Sequence, residues 1–361
     1  MSEPLLRDAN NPLIRHLPQF NTINEIATAL TYDPLKGIEI SHLSIVERHE
    51  LLVADKRPLQ PTTLSLKATM TILSMHRHSL RMRNPTSAPG RRLTYDAITH
   101  FLEGGADITR PPAQGACLYV IKGITGTAKS VTAQHALRLL GDQVIHHSQE
   151  AAAHWRSATQ LSYLYVGMSH DGSRGGLLNA ILLVIDTALG TNYAIDLPKS
   201  FRTLDRLAGA VISKLHSLYV GILVVDEIQR LNLVDSEQAE KMQLFLLSLA
   251  NSGIPLVLIG NPLGFTWVTR YSQNLSRVQE RAPAFFHPHG ALGDEEDEWG
   301  AVYHGIRAFY LLDAPPDDEL ACSTILKQCS GGIPRVGLSL WSSAQANVLL
   351  DGGGKLAPEV Y

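Results

Sequence analysis

Eight consecutive residues, Gly123-Ile124-Thr125-Gly126-Thr127-Ala128-Lys129-Ser130, carry the residue types that hold phosphate. Small residues let backbone N–H groups approach an anion, a lysine reaches the outer phosphates, and a hydroxyl ligates Mg2+. Gly123, Thr125, Gly126 and Thr127 form the cradle here, Lys129 is the cation and Ser130 the hydroxyl. Ala128 stands where the usual pattern has glycine. Ninety-seven residues after Lys129, an apolar run ends in Asp226-Glu227. Such a pair divides the work: Asp226 holds Mg2+, and Glu227 orients or deprotonates the attacking water. Thirty-five residues further, a second apolar run ends at Asn261, whose amide could reach the γ-phosphate and the lytic water. Gly331-Gly332-Ile333-Pro334-Arg335 opens a helix from which Arg335 can fold over a nucleotide. A neighbouring subunit would supply a further arginine to the γ-phosphate, with Arg277 the first candidate and Arg281 and Arg270 behind it. Each feature has a plainer reading: a Gly-rich turn, an acidic helix start, an Asn-Pro turn, a surface arginine. Their concurrence points to an ATP and Mg2+ site.

The elements that must position these residues are legible as alternation. Residues 117–122, 163–168, 221–226 and 255–260 are short apolar runs, as expected of strands buried on both faces of a parallel sheet. Residues 129–140, 176–189 and 237–250 have helical apolar spacing between them. Strand-helix alternation of this kind predicts a doubly wound α/β domain, with the phosphate loop joining the first strand to its helix. Three regions follow from the texture: a helical N-terminal part over 1–112, an α/β core over 113–290, and a helical lid and tail over 291–361.

Composition bounds the rest. At 361 residues and roughly 150 per domain the chain should hold about two domains, and 45% hydrophobic with 18% charged residues marks a globular protein. The net charge of −3 announces no nucleic-acid partner. A local field is hidden in it: residues 56–95 carry Lys56, Arg57, Lys67, Arg77, Arg81, Arg83, Arg91 and Arg92 and no acidic residue. That segment reads either as a solvated helix face or as a contact for phosphate or an acidic partner surface. The acidic run Asp294 to Glu298 is expected to favour the N-terminus of the helix after it. Three scattered cysteines, Cys117, Cys322 and Cys329, fit a reducing compartment, and the histidines show no spacing for a structural metal. The uncharged stretch 242–269 is broken by Pro255 and Pro262 into pieces too short to span a bilayer, so no membrane role is expected.

The phosphate loop, Asp-Glu strand, Asn strand end and helix-opening arginine together resemble AAA+ ATPases. The chain is similar in particular to the transposition regulators of the TnsC, TniB and MuB kind, the TnsC branch most of all. Carrying that similarity are Asn11-Pro12-Leu13-Ile14, Leu17-Pro18, Arg81-Met82-Arg83-Asn84-Pro85, His170-Asp171-Gly172-Ser173, Leu189-Gly190-Thr191-Asn192-Tyr193, Asp226-Glu227-Ile228-Gln229 and Ile333-Pro334-Arg335. The resemblance implies an AAA+ P-loop core and a bacterial cytoplasmic ATPase that assembles on double-stranded DNA as a ring or helical filament. It also implies partners, a transposase and a TniQ-type target selector, with hydrolysis dismantling the polymer. Backbone contacts to DNA would fall on Arg156 and Arg174, and would be sequence-tolerant and salt-sensitive. Two alternatives stay open: a replication-initiator or helicase-loader ATPase on the same core, and a nucleotide-gated scaffold with little hydrolysis.

Overall fold

Four of the strands expected from the sequence form the heart of one sheet. The computed structural model describes residues 8, 10–54, 58–102, 118–231, 236–265, 282–290, 297–352 and 354–357. Strand β1 (Leu118–Gly123), β4 (Leu164–Gly167), β5 (Leu223–Asp226), β6 (Leu256–Gly260) and β7 (Ala284–Phe286) make a five-stranded sheet in the order β4-β5-β6-β1-β7. The pairs β4/β5, β5/β6 and β6/β1 are parallel, with Gly167 opposite Asp226 and Lys122 opposite Gly260. Parallel pairing puts the C-terminal ends of β5, β6 and β1 at one edge of the sheet. Asp226-Glu227 and Asn261 leave from that edge.

Two elements lie outside the expected plan. Val144–His147 (β2) and Ala158–Leu161 (β3) form a separate antiparallel hairpin, and the short β7 joins the sheet beside β1. The α-helices among the described residues are α1 (Ile23–Leu30), α2 (Ile45–Val53), α3 (Thr63–Met82), α4 (Ala88–Leu102), α5 (Lys129–Arg138), α6 (Arg174–Leu189), α7 (Tyr193–Ser200), α8 (Leu204–Ser217), α9 (Ser236–Asn251), α10 (Trp299–Ala308), α11 (Glu319–Ser330) and α12 (Pro334–Leu350). None of them is long and apolar enough to cross a membrane.

The chain divides into two compact units that interleave along the sequence. One comprises residues 1–19, 70–122 and 136–284; the other comprises 20–69, 123–135 and 285–361. The core of the first unit is built from the sheet strands and helices α6, α8 and α9, with Leu178, Ile181, Leu215, Val225 and Leu258 excluded from solvent. The core of the second gathers Trp299, Ile306, Phe309, Leu326 and Trp341 with Leu35 and Leu52. Trp341 is completely buried and its indole N–H donates to Phe309 O at 2.8 Å, which satisfies the one polar atom it carries.

One residue of the basic segment departs from its sequence reading. Arg83 is neither on a solvated face nor available to phosphate: it is completely buried, and its Nη2 donates to Ser79 Oγ at 2.7 Å and Val220 O at 2.6 Å. Arg81 is paired with Asp8 through two bonds of 2.7 and 2.6 Å. Arg91 donates to the carbonyls of Pro85, Thr86 and Ala152 at 3.0–3.2 Å. Arg83 alone is withdrawn into the fold, whereas Lys67 and Arg92 are exposed and the Arg81 side chain is half-exposed. Of the acidic run, Asp297 accepts from Trp299 N at the start of α10 as expected, whereas Glu298 accepts from Thr63 N and Oγ1 and so caps α3 instead. Lys56, Arg57, Cys117 and residues 294–296 lie outside the described residues.

Candidate functional site

In the second unit, the phosphate loop enters α5 at Lys129, so the positive end of the helix dipole faces the loop. Gly126 has φ +92° and Ala128 φ +67°. Left-handed residues close together along a loop turn successive N–H groups to one side and shape an anion-binding concavity. Glycine takes such angles freely, whereas Ala128 takes its angle at a cost of about 1–2 kcal/mol. The glycine expected at this position is therefore a matter of backbone angle rather than of room for a methyl group. Lys129 Nζ donates to Ile124 O at 2.5 Å and Thr127 Oγ1 donates to the same carbonyl at 2.9 Å, which fixes the curvature of the loop.

Arg335 is brought to this loop within the same unit. Its backbone N–H donates to Gly126 O at 3.1 Å, and its side chain is exposed. Pro334 starts α12 at a position where a missing N–H costs nothing. A Cβ on Gly126 would lie 2.8 Å from Ile333 Cγ2 and 3.3 Å from Arg335 Cβ, so this glycine also permits the close approach.

In the first unit, Asp226 is the last residue of β5 and Glu227 follows in a left-handed conformation, φ +61°. One Asp226 oxygen accepts from the Tyr165 hydroxyl on the neighbouring strand and the other from Glu227 N at 2.6 Å. Glu227 Oε2 accepts from Gln229 Nε2 at 2.6 Å, and Arg230 Nε lies 3.8 Å from it. Asn261 follows β6, and its backbone N–H donates to Gln229 Oε1 at 3.0 Å. Asp226, Glu227 and Asn261 are thus brought together around Gln229. Tyr165 was not singled out from the sequence, and Gln229 was named only within the segment Asp226-Glu227-Ile228-Gln229, without a role. The first is found only through the β4/β5 register, the second only through the packing of two adjacent loops.

The two arginines considered for DNA differ. Arg156 is exposed beside the β2/β3 hairpin, while Arg174 at the start of α6 is 2.7 Å from Asp205 and only 16% of its side chain is exposed. Arg270, Arg277 and Arg281 lie outside the described residues.

A parallel five-stranded sheet flanked by helices, with a phosphate loop after β1, an Asp-Glu pair after β5 and a polar residue after β6, is the AAA+ P-loop NTPase fold. Residues 113–266 match the family described as an AAA domain. No curated protein matches the sequence. Among solved structures the chain is similar to the Aeropyrum pernix ORC2 protein. Its ADPNP-ADP complexes give a TM-score of 0.49 at 14% identity, covering 86% of this chain and 69% of that one. Its ADP form gives 0.46 at 12% identity, with 86% and 70% covered.

Proposed function

We propose that this chain is an ATP-hydrolysing AAA+ regulator of DNA transposition that assembles on double-stranded DNA and links a TniQ-type target selector to a transposase. The observation that carries the hydrolytic part is the Asp226-Glu227 pair at the C-terminal end of β5, with Glu227 held by a side-chain clasp. Lys129 and the loop amides take the phosphates, and Arg335 closes over them from α12. The donor set suits Mg2+: Ser130 and Asp226 offer hard oxygens, and the Asp226 carboxylate, which accepts from the Tyr165 hydroxyl and from Glu227 N, has further lone pairs to give. When bound, Mg2+ supplies neutralisation of charge on the β- and γ-phosphates. Glu227 accepts the proton of a water whose oxygen bonds to the γ-phosphorus as the bond to the β–γ bridging oxygen breaks, releasing ADP and phosphate. Asn261 orients that water, and Arg277 of a neighbouring copy acts on the γ-phosphate.

The transposition assignment is supported by the sequence segments that resemble TnsC-type regulators. DNA contact through Arg156 is supported by its exposure. The test is phosphate release measured with and without duplex DNA, beside negative-stain imaging with DNA and a non-hydrolysable ATP analogue. DNA-stimulated turnover and a ring or filament are expected, and Glu227→Gln should keep ATP and DNA binding while lowering turnover by on the order of 10²–10⁴. Monomers under those conditions overturn the assembly. Binding without turnover in the unaltered chain would leave a nucleotide-gated scaffold, a role that the strained Ala128 favours.

A further inference from the structure

The side chain of Gln229 has a partner at each end. Its Nε2 donates to the Glu227 carboxylate at 2.6 Å, and its Oε1 accepts from the backbone N–H of Asn261 at 3.0 Å. The primary amide offers a donor and an acceptor on one planar group, and asparagine would be one methylene too short for both bonds. The surroundings are shaped to it. A Cβ on Gly260 would come 2.8 Å from Gln229 Oε1, so the residue before Asn261 must be glycine for the amide to sit there. Glu227 itself is in the left-handed region, a conformation that persists only where neighbours hold it. The next residue, Arg230, is anchored by Nη1 to Met168 O at 3.2 Å, which fixes the turn Ile228–Arg230.

We propose that Gln229 is a positioning residue for hydrolysis: it aims the Glu227 carboxylate and ties it to the end of β6. A displacement of Asn261 on meeting the γ-phosphate is then passed to the base through one side chain. Gln229 touches no reacting atom in this scheme, and its neutral donor leaves Glu227 able to accept a proton. The proposal rests on the hydrolytic reading of Glu227 given above, so its test carries a control for that reading.

The experiment compares Gln229→Leu, Gln229→Glu and Glu227→Gln in the full chain, measuring ATP affinity by titration, kcat and KM, the pH profile of kcat, and thermal midpoint. Gln229→Leu removes both bonds at similar size. The expected result is a kcat lower by about ten- to a hundredfold, the cost of a misdirected group, with ATP affinity and thermal midpoint retained. Gln229→Glu keeps the acceptor for Asn261 but sets a second carboxylate against Glu227. Like charges disfavour ionisation, so the acid limb of the kcat profile moves to higher pH by about one unit or more. Wild-type kcat in Gln229→Leu together with an unmoved acid limb in Gln229→Glu overturns the proposal, provided that Glu227→Gln abolishes turnover. A fall in kcat that tracks a fall in thermal midpoint, with no change in pH profile, marks a purely structural role and overturns it as well. Wild-type turnover in Glu227→Gln overturns the hydrolytic reading itself and the proposal with it.

Discussion

The backbone N–H of Arg335 donates to the carbonyl oxygen of Gly126 at 3.1 Å, so a main-chain bond fastens the helix that carries the candidate lid arginine to the phosphate loop. That bond is independent of the Arg335 side chain, whose guanidinium stays exposed and free to turn toward a phosphate. A loop that changes shape on binding nucleotide would carry the start of α12 with it. The conformation of the loop therefore matters beyond its own phosphate contacts.

Ala128→Gly should strengthen the protein. The φ of +67° costs an alanine about 1–2 kcal/mol, part of which the greater freedom of glycine in the unfolded chain takes back. A net gain of roughly 0.5–1 kcal/mol is expected in urea unfolding, with tighter ATP binding in titration. A loss of stability would mean that the left-handed angle is not kept in solution.

Lys129→Ala should separate affinity from stability. Lys129 clasps Ile124 O at 2.5 Å and is 7% exposed, so its loss costs the fold only about 1 kcal/mol. Loss of a charge-assisted bond to phosphate costs about 1.5–3 kcal/mol, or roughly 10- to 150-fold in ATP affinity. Unchanged affinity in a direct titration would remove the phosphate-loop assignment.

Arg83 should behave as a core residue. Burial pushes its guanidinium down to about 10, no carboxylate is among its hydrogen-bond partners, and its Nε and Nη1 have no partner among the described residues. Arg83→Ala leaves a cavity and an orphaned Val220 carbonyl, at a cost of about 2–5 kcal/mol. Arg83→Met fills the space and removes the buried charge, and should lie within ~1 kcal/mol of the unaltered chain. Neither change should alter the salt dependence of DNA affinity. A slope shallower by about 0.9 would instead mean that Arg83 meets a phosphate.

Stability should fall on mild acidification. His76 and His216 are completely buried and desolvation pushes both down to about 3, with the positive charge of Arg83 acting in the same direction. His76 keeps its Nε2 on Ser162 O at 3.0 Å. Because both folded values lie below the unfolded value near 6.5, the unfolded chain binds more protons between pH 6.5 and 3. Stability from these rings is complete above that window and is lost as pH drops through it, by up to ~1.4 kcal/mol per unit for each ring. Urea midpoints at pH 7, 6 and 5 should show this slope, and His216→Leu should remove part of it. An identical slope in that variant would place the titration elsewhere.

The segments that make up the candidate site were readable in the chain itself. Residues 123–130 are contiguous, and a loop whose function lies in its own backbone angles needs little else to declare itself. The runs ending at Asp226 and Asn261 were legible because strands buried on both faces must be apolar throughout. The hairpin β2/β3 and the strand β7 were not, since Val144–His147 and Ala158–Leu161 mix polar with apolar residues and Ala284–Phe286 is too short to show a period. Tertiary structure alone decided the rest. Whether Arg83 faced water or the core depended on Val220 and Ser79, and the carboxylates of Asp226 and Glu227 acquired Tyr165 and Gln229 through strand register and loop packing. A residue's type and local spacing set what its own atoms can do, but partners distant in sequence are fixed by packing, because only the folded chain determines which groups lose water together.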